Sequence, residues 1–111
     1  MKITSIGKIK LEEDSKDNYI ANFGTVRKHG RAEVDFVVSL DKPVLSYRTT
    51  VSCASCTKSS MERETSKSLR CHAEYDTGIR GLIQRRAYFF IKEEGQTTER
   101  LITIHLKGEV Q

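Results

Sequence analysis

Three segments of the chain alternate apolar and polar residues at every second position. They span 32–40, 84–92 and 99–109. Because successive side chains on a strand point to opposite sides of a sheet, this period predicts half-buried strands. Phe36, Phe89 and Ile104 stand at the centres of these runs, so we expect them in the core.

Turn-forming residues separate these runs, at 28–31, 40–43, 75–81 and 93–98. Glycine there permits positive φ, and aspartate or asparagine caps turns through its side chain. We therefore predict about seven strands and almost no helix. The strands are expected near 2–11, 19–26, 32–40, 44–51, 67–75, 84–92 and 99–109.

The remaining segments are too polar to contribute to a core. Residues 12–18 are predicted to tether the first strand loosely to the rest, and 58–66 to form a polar loop before the strand at 67–75. Short strands at regular spacing, without helices between them, favour an antiparallel β-sandwich. At 111 residues, the chain 1–111 is expected to be one domain with one core.

The charge and the N-terminal sequence narrow the function classes. A net charge of +4 permits electrostatic attraction to an acidic partner without establishing one. The N-terminal segment has no apolar run typical of a secretory signal, and no segment is apolar enough for a membrane helix. We therefore expect a cytoplasmic protein, or a virion component if the source is viral, with no membrane partner and no small-molecule substrate.

The segment VSCASCTKSS, residues 51–60, contains the main candidate chemistry. Cys53 and Cys56 have the spacing of half a zinc site. Cys71 and His72 would have to complete it, but adjacent residues on a strand point to opposite faces. Leu69, Cys71, Ala73 and Tyr75 share one face, so we interpret Cys71 as a small buried hydrophobe.

Redox and nucleophilic roles for these thiols have weaker support. A thioredoxin-like motif opens a helix within a βαβ unit, and neither feature is predicted here. A catalytic cysteine needs a positioned base. His29, His72 and His105 are available, but nothing in the sequence brings one of them close. We expect no enzymatic activity, no cofactor and no metal, with Cys53 and Cys56 as the only minority candidates for metal ligands.

Two basic clusters are candidate partner-binding residues. Arg27, Lys28 and Arg31 lie in a predicted hairpin tip, and Arg85 and Arg86 lie near a strand end. Such residues are often simply solvated, and the aromatic residues fall within alternating runs rather than forming an exposed stacking surface. We therefore expect a protein partner and not a nucleic acid.

Several short motifs together resemble a known family over residues 19–110. NFGTV, EVDFVVSL, VSCASCT, AEYDTG and LKGEV occur in the same order as the corresponding motifs of a bacterial domain family of unknown function. That family is an immunoglobulin-like sandwich of the major-sperm-protein and cilia-associated type. The residues that match its pattern are Phe23, Gly24, Pro43, Ser52, Cys53, Cys56, Thr57, Tyr75, Asp76, Gly108 and Val110.

The chain also departs from this family. Cys-Ala-Ser-Cys replaces Cys-Gly-Cys, RETSKS replaces a Pro-Gly pair, and the secretion or lipoprotein signal common in the family is missing. Residues 1–18 are an added N-terminal strand and loop. The resemblance implies an immunoglobulin-like fold and a structural role for the cysteine turn.

The function expected from these observations is binding without catalysis. A small sandwich with no catalytic set is expected to be an accessory component, a decoration or connector, of a large assembly such as a bacteriophage virion, where capsid or head–tail proteins would be its partners. Fold alone does not dictate function, so two alternatives stay open. One is a thiol or metal-binding protein that uses Cys53 and Cys56, and the other is a nucleic-acid-associated module.

Overall fold

A computed structural model describes all 111 residues and contains nine strands and no helix. The strands lie in two sheets. Their bounds are β1 Lys2–Ile6, β2 Glu12–Ser15, β3 Asn18–Val26, β4 Glu33–Ser39, β5 Val44–Val51, β6 Thr57–Thr65, β7 Ser68–Tyr75, β8 Gly81–Glu93 and β9 Arg100–Val110. The all-β prediction is confirmed, but nine strands form instead of about seven, and one pair, β3 with β9, is parallel rather than antiparallel. The structure has no helix that could cross a membrane.

The four-stranded sheet has the order β1-β4-β7-β6, and every pair in it is antiparallel. Its central pair places Phe36 opposite Cys71 and Val38 opposite Leu69 on the inner face. Asp35 faces His72 on the outer face. The alternation in β4 and β7 therefore separates a buried apolar set from an exposed charged set, as the sequence predicts.

The five-stranded sheet has the order β2-β3-β9-β8-β5, and β3 runs parallel to β9. β8 and β9 form a long hairpin, in which Phe89 pairs with Ile102 and Ala87 with Ile104. β5 pairs with β8 only as far as Val51, which lies opposite Ala87. The N-terminal part of β8 therefore extends beyond β5, and β5 leaves the sheet at that point to continue as β6.

A single core of 19 buried residues joins the inner faces of the two sheets. The rings of Phe36 and Phe89 meet edge to face with centroids 5.1 Å apart, so one contact spans both layers. Ile104 is also fully buried. The predicted inward faces of the three alternating runs are confirmed, and Cys71 lies in the core with no exposed surface.

Two glycines of the short motifs occupy one irregularity in the parallel pair. The register of β3 against β9 shifts between Asn22 and Thr25, and Gly24 there has φ +63°. A Cβ on Gly108 would lie 2.8 Å from the carbonyl oxygen of Gly24. The bulge thus requires positive φ on one strand and close backbone approach on the other, which explains glycine at both positions.

The prediction for the N-terminal segment is wrong in its connectivity. Residues 2–11 were expected to form one strand, followed by a loose tether at 12–18. The chain instead leaves the first sheet after Ile6, turns at Gly7 with φ +84°, and joins the other sheet as β2. Half-buried Ile9 and Leu11 pack against the core, so hydrophobic burial carries the chain from one layer to the other.

The prediction of a polar loop at 58–66 is also wrong, because most of it is strand β6. β6 is an edge strand whose backbone hydrogen bonds are satisfied by β7 on one side. Only Thr57 is fully buried in it, while Met61 packs partly against the core. Pairing with an apolar neighbour stabilises a strand that has little apolar surface of its own.

We predict that Phe36→Ala and Phe89→Ala each lower the free energy of unfolding by about 3–5 kcal/mol, and Ile104→Ala by about 2–5 kcal/mol, because each leaves a cavity in the shared core. Chemical denaturation of each variant measures these losses. Leu101→Ala, on the outer face of the same strand as Ile104, is the control and should cost much less. Equal losses at Leu101 and Ile104 would show that the faces are assigned wrongly.

Candidate functional site

Three loops meet at one end of the molecule, and we call this region the basic end. It comprises residues 27–32, 52–56 and 76–80, which join β3 to β4, β5 to β6 and β7 to β8. The His29 amide donates to the Thr77 carbonyl at 3.0 Å, and the Asp76 amide donates to the Cys56 carbonyl at 2.8 Å. Backbone hydrogen bonds therefore tie the three loops into one surface.

The cysteine segment forms a tight turn where the chain crosses between sheets. The Cys53 carbonyl accepts from the amides of Cys56 at 3.3 Å and Thr57 at 2.9 Å. Ser52 anchors the start of the turn to β8, because its hydroxyl accepts from the Arg86 amide at 3.0 Å. Cys53 and Cys56 are free thiols and both are partly exposed. The prediction that these residues form a turn is confirmed.

Arg85 is the residue that gives this turn a distinct electrostatic environment. By alternation it projects to the same side of β8 as buried Ile83 and Ala87. Because β5 has already left the sheet there, Arg85 faces the cysteine turn, and its Nε donates to the Cys56 Sγ at 3.1 Å. A guanidinium at this distance stabilises a thiolate.

Hydrogen bonds around the partly exposed Cys53 thiol favour its ionisation. The pKa of Cys53 is lowered to about 6, chiefly because the Cys56 thiol and then the Ser55 hydroxyl, at 3.3 Å, donate to its sulfur. The Cys56 amide and Arg85 contribute further, while burial opposes them. Burial alone raises the pKa of Cys71 to about 12. The chain therefore has one activated thiol, Cys53, and one inert thiol, Cys71.

Cys71 and His72 cannot complete a zinc site with Cys53 and Cys56 in this geometry. Cys71 faces the core, and His72 lies on the outer face of the four-stranded sheet. No third ligand side chain lies close enough to Cys53 and Cys56 to complete a three-ligand group. The nearby Arg85 charge also opposes binding of a cation.

The predicted basic clusters have different outcomes. Arg27, Lys28 and Arg31 are exposed at the basic end. The predicted hairpin tip is wrong, because β3 and β4 belong to different sheets and residues 27–32 cross between them. Arg85 and Arg86 do not form one cluster, since adjacent residues of β8 point to opposite faces. Arg85 contacts the cysteine turn, whereas Arg86 lies on the outer face of the five-stranded sheet. Treating the two arginines as a single steering element was therefore wrong.

Positive charge at the basic end is largely unneutralised. Arg31 has one distant partner, Glu33, at 3.8 Å. Arg27, Lys28 and Arg80 make no ion pair. A cavity of about 360 Å³ opens between the loops, and its lining includes Cys56, one cation, Lys58, and two carboxylates, Glu74 and Asp76. The region thus combines free cationic side chains, a thiol and a concave surface.

Sequence reasoning missed a charged cluster on the outer face of the four-stranded sheet. His72 Nδ1 lies 2.9 Å from Asp35 Oδ1, and its Nε2 lies 3.4 Å from Glu74 Oε1. Glu33, His72 and Glu74 have ligand atoms within 4.8 Å of one another. Alternation alone would have placed these residues outward, but only the register of β4 against β7 brings them together. All are partly exposed, so this geometry is that of an ion-pair network on a sheet surface.

We predict that His72 titrates above its ordinary pKa and His105 below it. Burial lowers the pKa of His72, but Asp35 and then Glu74 more than offset it. Burial, followed by Arg86 and Lys107, lowers the pKa of His105. NMR titration of the two imidazoles measures both values. Asp35→Asn should lower the pKa of His72 and leave that of His105 unchanged.

The same network predicts a pH-dependent contribution to stability. Because the folded-state pKa of His72 is raised, its stabilisation is complete below about pH 6 and is lost as the pH rises through the folded value. The free energy of unfolding of wild type should therefore exceed that of His72→Gln, and this difference should be larger at about pH 5.5 than at about pH 8.5. A constant difference in denaturation midpoint across this range would contradict the ion pair.

We further predict that folding requires no metal. Structural zinc would contribute on the order of 10 kcal/mol, so chelation would unfold a zinc-dependent domain. The melting temperature should be the same with and without a strong chelator, and the purified protein should carry no stoichiometric zinc. A large fall in melting temperature on chelation would contradict this.

No protein-family model matches the chain, and no curated protein sequence matches it. The resemblance over residues 19–110 therefore remains a sequence-based hypothesis, and function has to be inferred from the geometry described above.

Proposed function

We propose that this protein is a non-enzymatic binding module that docks through its basic end onto an acidic surface of a larger protein assembly, such as a virion. The observation that carries this proposal is that unpaired Arg27, Lys28 and Arg80 lie on two loops, 27–32 and 76–80, that a backbone hydrogen bond joins into one surface. Clustered charges of one sign attract a complementary surface and accelerate encounter with it.

The strand order supports an immunoglobulin-like type for this module. If β4 to β9 are equated with strands B to G, the sheets have the orders A-B-E-D and G-F-C, with β1 as strand A. These are the strand sets of immunoglobulin sandwiches. Loops cluster at both ends of such sandwiches, and the basic residues lie at the end formed by the C–D and E–F loops and the connection that precedes strand B. This likeness concerns fold and leaves the partner to be identified.

Two of the four edge strands, β2 and β6, are unfavourable for contact with a partner strand. β2 at one edge has the sequence EEDS and is exposed throughout. β6 at another edge exposes Lys58, Glu62, Arg63 and Glu64. Charged side chains on edges oppose pairing with other strands. Docking by strand addition at β2 or β6 is therefore disfavoured.

Apolar side chains beside the free charges supply the second component of a binding surface. Ile79, in the loop 76–80, is 79% exposed, and Leu82, two residues into β8, is 64% exposed. Leu82 pairs with Glu109 near the end of β9, on the same end of the molecule. Burial of an apolar anchor inside a charged rim is a common interface arrangement. We expect the partner to offer an apolar spot within an acidic patch.

We predict that reversing Arg27, Lys28 and Arg31 to glutamate abolishes incorporation into the native assembly. The test is cosedimentation of the tagged chain with large particles from its native source, at low and at high salt. Wild type should cosediment at low salt and be released as salt rises, because salt screens exposed charges.

The matched control reverses Lys16, Lys42 and Lys67, which are exposed away from the basic end and give the same change in net charge. This variant should cosediment like wild type. Equal incorporation of both variants would remove the basic end from the interface. Release by nuclease treatment would instead indicate nucleic acid, and a wild-type protein found only as a free monomer would refute the proposal.

A further inference from the structure

We propose that Cys53 and Cys56 form a dithiol that exchanges with small anionic disulfides, with Cys53 as the attacking thiolate and Cys56 as the resolving thiol. This activity goes beyond docking and does not depend on it. Arg85 acts as a positioning residue for the thiols, and Cys71 takes no part.

The geometry of the turn separates the two roles. Cys53 is partly exposed, and its sulfur is 3.3 Å from the Ser55 hydroxyl, which can donate to a thiolate. Cys56 contacts the Arg85 Nε at 3.1 Å and the Thr57 Oγ1 at 3.5 Å. Both thiols are partly exposed, but the Cys56 thiol also donates to the Cys53 carbonyl at 3.7 Å, so Cys56 is the more constrained of the two and Cys53 is the freer to attack. An accessible thiolate in an electropositive site is the reactive form of cysteine.

The turn also permits the two sulfurs to be joined. Cys53 and Cys56 are the first and last residues of a turn closed by the 3.3 Å bond from the Cys56 amide to the Cys53 carbonyl. The Cα atoms at such positions lie less than about 7 Å apart. A disulfide spans Cα separations of about 4.4–6.8 Å. Oxidation can thus occur without unfolding either sheet.

The exchange occurs in two balanced steps. The Cys53 thiolate attacks one sulfur of RSSR, which forms Cys53–S–S–R and expels RS⁻. The Cys56 thiol then loses its proton to solvent and attacks the Cys53 sulfur, which forms the Cys53–Cys56 disulfide and expels a second RS⁻. The two RS⁻ take up protons, so RSSR is reduced to two RSH while the protein is oxidised by two electrons.

Electrostatics favour this chemistry over metal binding and select the substrate. Arg85 stabilises a thiolate but repels a cation approaching the same sulfur. Arg27 and Lys28 add unpaired positive charge at the same end. A disulfide that carries carboxylates is therefore attracted, and a cationic one is repelled.

The test uses oxidised glutathione as the anionic probe and cystamine as a cationic one, with mass spectrometry to locate the products. Wild type should form the Cys53–Cys56 disulfide and react faster with oxidised glutathione. Cys56→Ser should accumulate a mixed disulfide on Cys53, and Cys53→Ser should lose the fast reaction. Cys71→Ala should retain it, since Cys71 is buried.

Arg85→Gln and Arg86→Gln form a matched pair, because the two arginines are neighbours on opposite faces of β8. Arg85→Gln should move the pH midpoint of thiolate absorbance upward. At a pH below that midpoint, a higher pKa leaves less of the thiol ionised, but the remaining thiolate is more nucleophilic. The two effects partly cancel, so the exchange should slow by about threefold for each unit by which the pKa rises. Arg86→Gln should change neither readout, and Arg85→Lys should restore part of both. Melting curves confirm that each variant is folded.

Four results would overturn the proposal. Cys53 in folded wild type could react no faster than in the denatured chain. The Arg85 and Arg86 variants could behave alike, or cystamine could react faster than oxidised glutathione. Tight stoichiometric binding of zinc that blocks both thiols would overturn it in favour of a metal site. None of these outcomes depends on the docking partner, so the two proposals can fail separately.

Discussion

The contact between the two inner sheet faces is the constraint on which the rest of this structure depends. Phe36 from one sheet meets Phe89 from the other at a centroid distance of 5.1 Å. Since side chains alternate along each strand, burying these two rings determines which residues of β4 and β8 point inward and which point outward. The packing therefore also determines which side chains lie on the outer faces and where the loops at the strand ends are placed.

The same alternation explains how a cation comes to lie beside two thiols. Arg85 occupies an inward position of β8, two residues before Ala87 and four before Phe89. Farther along the strand an inward arginine would be buried without a partner, which is costly. At Arg85 the neighbouring strand β5 has ended, so the guanidinium meets the crossing turn and water instead. The end of one strand thus turns an unfavourable core position into a polar site.

The docking surface and the dithiol share one end of the molecule but rely on different side chains. Arg27, Lys28 and Ile79 are exposed on loop tips, where they contribute little to stability and are available to a partner. Arg85, Cys53 and Cys56 contact one another at the junction of strands. A partner bound over the loop tips would alter access to Cys53. The docking surface and the dithiol are therefore neighbours, although the thiol chemistry does not require the partner.

The sequence by itself determined the all-β class, the inward faces of β4, β7, β8 and β9, and the inert position of Cys71, because period-two alternation is a local property. Only the tertiary structure decided three other features. The polar segment 57–65 is a strand because its backbone pairs with β7. Residues 12–15 pair with β3 in the second sheet because the burial of Ile9 and Leu11 carries the chain to that sheet. The separation of Arg85 from Arg86, and the pairing of His72 with Asp35, follow from strand ends and register. Register and strand length depend on strands that are distant in sequence, so they cannot be predicted from the local pattern of apolar and polar residues.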